Sequence, residues 1–244
     1  MEKRAGIDKV HIITPVKDSI DLTLKTIGAV MRSDINYPFL YMVYNDFSTE
    51  SNTLILEKAS KEMGFELVNL SDLTDRPSPN YLLVLQMAQE RALKEGAGLL
   101  IVESDVVVGK DTIQKLIEGA ENCDNCGIAA SVTVDENGAI NYPYLYVKGR
   151  ENRIVEVNKH LSFCCSLLMP EFLSRYSFHS LNPEKSWYDV TISRQSLKLD
   201  FKNYLFTNLP VLHRPHSSRP WKLLKYTNPV KYYWLKFIHK RDKI

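Results

Sequence analysis

Glu103 and Asp105 stand on either side of a single serine at the end of an apolar run, in the stretch LLIVESDVVV that begins at Leu99. The run is short and follows Gly96 and Gly98, which suits a buried strand better than a helix. In an extended chain, residues two apart point to the same side, so both carboxylates are expected to project together from the strand's carboxyl end. Side by side they repel unless something positive sits between them. A hard cation holding a phosphate would do this, and so would an arginine or lysine. A second polar cluster, Tyr44-Asn45-Asp46-Phe47-Ser48-Thr49-Glu50, also follows an apolar run. Groups in that position either hydrogen-bond a base or ribose or cap the next helix. The first apolar run ends in Thr14-Pro15-Val16-Lys17-Asp18, and neither G-x-G-x-x-G nor G-x-x-x-x-G-K-[ST] is present. This argues against a dinucleotide dehydrogenase and against a P-loop NTPase.

The elements that must position these groups alternate in type. Val10–Thr14 reads as a strand, and a helix follows from Ser19 to Met31 with Asp18 or Ser19 as its cap. Phe39–Asn45 is a second strand, Thr53–Met63 a helix stopped by Gly64, and Phe65–Leu70 a third strand. A polar loop with two prolines leads to Asn80, the expected cap of a helix to Glu95, and Leu99–Val102 is the fourth strand. Such alternation implies right-handed βαβ units and a parallel sheet, with ligands at the carboxyl ends of its strands. After a helix capped by Asp111 the pattern changes. Ile128–Val134 and Ala139–Val147 read as a hairpin around Asp-Glu-Asn-Gly. Cys164–Met169 is a short strand, Trp187–Leu199 a helix and Leu209–His213 a final extended piece. The expected organisation is an α/β domain over residues 1–215, with a nucleotide half to about residue 108 and a mixed acceptor half over 109–215, followed by a tail over 216–244.

A chain of 244 residues, 44% hydrophobic and 25% charged, can bury a sizeable core and does not have the composition of a disordered one. No run approaches the ~18 apolar residues of a membrane span. The opening MEKRAGIDKVHIITP lacks a signal-peptide pattern, so a cytoplasmic location is expected. The cysteines fit the same picture. Cys123 and Cys126 have the spacing of half a zinc site or a redox pair, but the adjacent Cys164 and Cys165 make poor partners for a tetrahedral metal. The latter two sit in FCCSLLM and read as core thiols.

The net charge of +2 hides an asymmetry: from Arg214 onward nine Lys/Arg face one acid, so the rest of the chain is mildly acidic. In the tail, Val230, Tyr233, Trp234, Phe237 and Ile238 can share one helical face, with Lys231, Lys236 and Lys240 around it. A helix of this kind, in the tail that runs from Trp221, suits an anionic membrane surface, peripheral at the inner face. Packing on its own domain or on a second copy is the alternative. Nucleic acid is not an expected partner, because the main domain is acidic and shows no recognition motif.

Taken in series, Thr-Pro after strand one, Asn-Asp-x-Ser-Thr after strand two and acid-x-Asp after strand four resemble the family 2 glycosyltransferases of the GT-A fold. The resemblance runs in order and spacing over residues 8–214. It implies a Rossmann-like, mostly parallel sheet flanked by helices, with a mixed acceptor-side half. It also implies sugar transfer, with inversion, from a nucleoside diphosphate-sugar to a hydroxyl of a glycan or lipid-linked acceptor. By the same resemblance Thr14 and Asp46 would contact base and ribose, and Arg76 would add a base or phosphate contact. Asp105 would hold Mn2+ or Mg2+ on the donor's pyrophosphate, and His213 would complete the metal site. Glu103 takes a position where the family more often has Asp and uses it near the ribose. Asp189, in SWYDVTISR, would be the general base, with Trp187 beside the acceptor sugar. Here the family's Glu-Asp pair is absent and Thr191 replaces a second Asp. Asp189 would otherwise serve as a helix cap, favoured by the macrodipole. A sugar-phosphate nucleotidyltransferase, or a silent nucleotide- or sugar-binding module, are the rival readings.

Overall fold

The computed structural model describes residues 6–185, 187–214 and 228–238. Four parallel strands, β1 (Val10–Val16), β2 (Phe39–Asn45), β3 (Glu66–Asn69) and β4 (Gly98–Val102), lie side by side in the order β3-β2-β1-β4. They are linked by α1 (Ile20–Met31), α2 (Glu50–Met63) and α3 (Tyr81–Glu95), the last two closed by Gly64 and Gly96 in the left-handed region. β4 is buried throughout, which accounts for its unbroken apolar run. Alternation along the strands feeds two cores. Ile12, Leu100 and Val102 pack with Val30 and Leu56, while Ile13, Leu99 and Ile101 pack with Leu85 and Phe172.

The sheet continues through the second half. Beyond β4 come β8 (Cys165–Leu168), β6 (Cys126–Val134), β9 (Lys202–His213) and the two-residue β5 (Val106–Val107), while β7 (Ile154–Glu156) pairs with β9. β8 runs antiparallel to both β4 and β6, whereas β6 and β9 are parallel. Helices α4 (Thr112–Asn122), α5 (Pro170–Arg175) and α6 (Tyr188–Lys198) complete an α/β fold with a mixed second half, as expected.

Two elements differ from expectation. The turn at Asp135–Gly138 forms, with the Asp135 carboxylate accepting from the Asn137 and Ala139 N–H groups and Gly138 at φ 76°. The strand expected over Ala139–Val147 does not: a single bridge joins Val134 to Ile140, and a 3-10 turn occupies Leu145–Val147. β8 flanks β6 only over Ile128–Ala130, and beyond it the Asp135 N–H donates to the Ala139 carbonyl at 2.9 Å and the Asn141 N–H to that of Thr133 at 3.1 Å. The pairing stops there, and Pro143 has no N–H to carry a ladder onward. β9 is longer than the expected Leu209–His213. Its polar residues mask the strand pattern because their partners are distant in sequence. Asn203 donates to the Ser193 carbonyl at 2.9 Å and Thr207 to that of Arg150 at 2.6 Å.

In the tail, helix α7 (Pro229–Ile238) forms. Tyr232 is buried, whereas Val230 is 80% and Trp234 61% exposed, with Tyr233 and Ile238 exposed beside them. Trp221, Lys240 and the side chains of Lys236 and Phe237 lie outside the described residues. Among the described residues no helix is long and apolar enough to cross a membrane.

Candidate nucleotide and metal site

All four parallel strands end on one edge, and the chain leaves β1 for opposite sides at β2 and β4. Such a switch point opens a crevice at the carboxyl ends. The loops there are tied to one another. Lys17 Nζ donates to the Phe47 carbonyl at 2.6 Å, and Asp18 Oδ1 accepts from the Thr49 N–H at 2.8 Å and Asn52 Nδ2 at 3.0 Å. The Thr49 N–H is the main reason the Asp18 carboxyl sits below its ordinary pKa, against a smaller opposing effect of burial.

Asp46 is 8% exposed and spends its carboxylate on the next loop. It accepts from the Ser78 hydroxyl at 2.7 Å, the Asn80 N–H at 2.9 Å and Asn80 Nδ2 at 2.8 Å. Asn80 Nδ2 also donates to the Arg76 carbonyl at 3.0 Å. Asp46 thus fixes the loop that carries the exposed Arg76, and Asn80 stands before α3 without capping it by its side chain. The Thr14 side chain is fully buried, its hydroxyl 2.9 Å from that of Tyr41, and the more exposed residues at that strand end are Lys17 and Asp18.

The acidic stretch is a turn rather than an extended end. The Val106 N–H donates to the Glu103 carbonyl at 3.1 Å, reversing the chain so that β5 can pair with the end of β9. That pairing sets Val106 opposite His213, and the Arg214 N–H donates to the Asp105 carbonyl at 2.9 Å. On the other side the Glu103 N–H donates to the Cys164 carbonyl at 3.0 Å, where β8 enters against β4. Backbone pairing therefore brings Glu103 and Asp105, Cys164 and His213 together from three separate segments.

Within this cluster His213 Nε2 lies 3.7 Å from Asp105 Oδ2 and 4.0 Å from Cys164 Sγ. Cys164 Sγ donates to Glu103 Oε2 at 3.3 Å. Donor atoms of Glu103, Cys164 and His213 all lie within 4.8 Å of one another, and among the described residues this is the one such group suited to a cation. His213 Nδ1 sits 3.2 Å from the Tyr142 carbonyl, to which it donates, leaving Nε2 turned towards the acids. Burial pulls the His213 pKa down, but Asp105, Glu103 and the Tyr142 carbonyl together outweigh it and leave it raised. Burial, reinforced by Glu103, holds the Cys164 thiol protonated well above its usual range. Cys164, expected to be a core thiol, is 2% exposed but belongs to this cluster. Its sequence position gives that away only once β8 is known to run antiparallel beside β4.

Asp189 lies half-buried in the first turn of α6, its Oδ1 accepting from the Val190 N–H at 2.9 Å. The preceding Trp187 offers its carbonyl to the Thr191 N–H at 3.1 Å and to the Thr191 hydroxyl at 3.2 Å. Burial above all raises the pKa of Tyr144, and Asp189 adds to this. The Tyr144 hydroxyl accepts from the Ser162 N–H at 3.0 Å, and Ser162 Oγ lies 3.2 Å from Cys164 Sγ. Cys123 and Cys126 lie outside the cluster, with burial raising the pKa of Cys126.

No protein-family model matches the chain, and no curated protein does. Solved structures do. S. aureus TarS (residues 1–349) superposes with a TM-score of 0.61 at 16% identity, over 84% of this chain and 60% of that one. GalNAc-T7, with UDP, GalNAc and Mn2+, gives 0.63 at 10% identity over 85% of this chain and 44% of that one. The mannosyltransferase PcManGT from Pyrobaculum calidifontis, with GDP-Man and Mn2+, gives 0.61 at 14% over 96% and 65%. The chain spans less than two thirds of the length of each. Likeness at such identity speaks for the fold alone, and the fold of this chain is the GT-A fold of those glycosyltransferases.

Proposed function

We propose that the chain is a metal-dependent glycosyltransferase that moves a sugar, with inversion, from a nucleoside diphosphate-sugar to a hydroxyl of a glycan or lipid-linked acceptor. The observation that carries this reading is His213 at the carboxyl edge of β4, its Nε2 3.7 Å from Asp105 Oδ2 and a donor atom within 4.8 Å of one of Glu103, beside the switch point. The donor set fits Mn2+ or Mg2+: two hard carboxylates, and an imidazole whose Nδ1–H is engaged by a backbone carbonyl while Nε2 faces them. Mn2+ beside UDP or GDP-Man in two of the similar structures supports the same choice. A divalent ion bound there offsets charge on the donor's diphosphate as a Lewis acid.

The protein's own groups have distinct tasks in this reading. Asp46, through Asn80, orients the loop from which Arg76 reaches the base or phosphates. Glu103 stands near the ribose as well as the metal. Asp189 accepts the proton of the attacking acceptor hydroxyl, and Trp187 packs against the acceptor sugar. The exposed Val230, Tyr233, Trp234 and Ile238 of α7, with the basic residues around them, rest on an anionic membrane where a lipid-linked acceptor would be found. Calorimetric titration of UDP and GDP, with and without Mn2+, tests the core of the proposal. Asp105→Asn should remove the metal-dependent part of the affinity and keep the melting temperature of the apoprotein. Equal affinities in wild type and variant would refute it.

A further inference from the structure

The cluster at β4 contains one donor that a magnesium or manganese site does not call for. Cys164 Sγ lies 3.3 Å from Glu103 Oε2 and 4.0 Å from His213 Nε2, among groups already gathered by strand pairing. We infer that this pocket also accepts a thiophilic divalent cation, zinc above all, on Glu103, Cys164 and His213, so that soft and hard metals compete for one imidazole. The competition rests on the proposed role of Asp105 and His213 in holding the donor's metal; the sulfur-containing site itself does not.

Four observations point the same way. One sulfur, one imidazole nitrogen and one carboxylate oxygen make a mixed set of the kind zinc takes, with a fourth position left for water or substrate. Bonds of ~2.0–2.3 Å at tetrahedral angles place ligand atoms about 3.3–3.8 Å apart. The sulfur–oxygen separation of 3.3 Å already meets this, and the sulfur–nitrogen separation of 4.0 Å needs only a slight closing. The supporting contacts are built as well: His213 is oriented by the Tyr142 carbonyl at 3.2 Å, and Cys164 Sγ has Ser162 Oγ at 3.2 Å. Lastly, two ligands are set by backbone pairing, Cys164 beside the start of β8 and His213 at the end of β9. On binding, the Sγ–H bond breaks, the proton leaves to solvent and a thiolate–metal bond forms in its place. Oxygen-preferring Mg2+ and Mn2+ gain little from that sulfur, whereas zinc gains both by softness and by its place in the affinity series.

The intact protein without nucleotide provides the test. Titration with Co2+ should give an intense near-ultraviolet band from thiolate-to-cobalt charge transfer, and added Zn2+ should abolish it. Cys164→Ser should lose the band and bind zinc at least ~100-fold more weakly, a larger loss than the ~10–100-fold typical of a supporting-shell change. Cys123→Ser should keep both. Cys164→Ala, matched to wild type by its metal-free melting temperature, covers the case in which the serine variant folds poorly. No band in wild type, zinc affinity within twofold of wild type in the Cys164 variants, or a band that follows Cys123 would each overturn the inference. With Mn2+ and UDP or GDP present, Zn2+ should displace the metal-dependent nucleotide binding in wild type. If nucleotide binding never depended on Mn2+ while the cobalt band persisted, the glycosyltransferase reading would fail and the sulfur-containing site would stand.

Discussion

Replacing Asp46 separates two roles that sequence alone cannot. In the structure its carboxylate receives three hydrogen bonds, from Ser78 Oγ at 2.7 Å, Asn80 N at 2.9 Å and Asn80 Nδ2 at 2.8 Å, while 8% exposed. Asp46→Ala strands two donors of Asn80, itself buried, at about 1–3 kcal/mol each. Part of that is offset, because a desolvated charge is removed at the same time. The Asn80 amide also keeps its bond to the Arg76 carbonyl. A net loss of about 3 kcal/mol results, and at ~2–4 °C per kcal/mol for a chain of this size the melting temperature should fall by roughly 6–12 °C. Asp46→Asn can keep its one oxygen where Oδ2 lies, still accepting from Ser78 Oγ and the Asn80 N–H, but its NH2 then faces Asn80 Nδ2. It should lose less than the alanine variant, about 1–2 kcal/mol for one stranded donor. Thermal melts and urea midpoints of both variants, followed by nucleotide titration, decide the matter. An alanine variant that melts within ~1 °C of wild type yet no longer binds nucleotide would refute the reasoning and make Asp46 a ligand contact.

The other expectations concern separate parts of the molecule. Asp189→Asn, which can still cap α6, should bind donor normally and transfer sugar about 10²-fold or more slowly, and near-normal transfer would leave Asp189 a cap only. Asp18 has a folded pKa below its unfolded one, so its contribution is present above the unfolded value and lost as pH falls through the lower folded value. Urea midpoints of wild type should therefore decline over that acid range, and those of Asp18→Asn should decline less; parallel curves would remove the Thr49 contact as the cause. Trp234→Ser with Tyr233→Ser should release the protein from anionic vesicles in sedimentation while donor binding is retained. Binding that is unchanged by the substitutions, or by raised salt, would count against a membrane role.

What the sequence disclosed divides by the range of the interactions involved. β2 is legible to the residue because its apolar run lies between Pro38 and the polar Asn45-Asp46, and the ends of α2 and α3 are legible because Gly64 and Gly96 close them in a conformation glycine favours. Those signals are local. The turn signal at Asp135–Gly138 is local too, but it reports only the turn: the strand expected over Ala139–Val147 stops after Asn141, where Pro143 has no N–H for a ladder. β9 was read too short for the converse reason: buried Asn203 and Thr207 find their partners on other elements, and no neighbouring residue announces them.

The candidate site shows the same division. Glu103 and Asp105 were legible as a pair, but on the premise of an extended strand, whereas the chain turns between them. They remain together because β5 must reach β9 and β8 must enter beside β4, two pairings that span roughly half the chain or less in sequence and none of which has a local signature. The same pairings bring in Cys164, which composition assigns to the core and which is indeed buried. Burial and function are not alternatives for such a residue. A thiol placed where a parallel sheet meets its antiparallel neighbour is both packed and aimed at the carboxyl edge, and only the strand directions distinguish it from Cys165 next to it. In a fold of this type, the residues just before antiparallel strands that dock on a central parallel strand are therefore where unrecognised ligands should be sought.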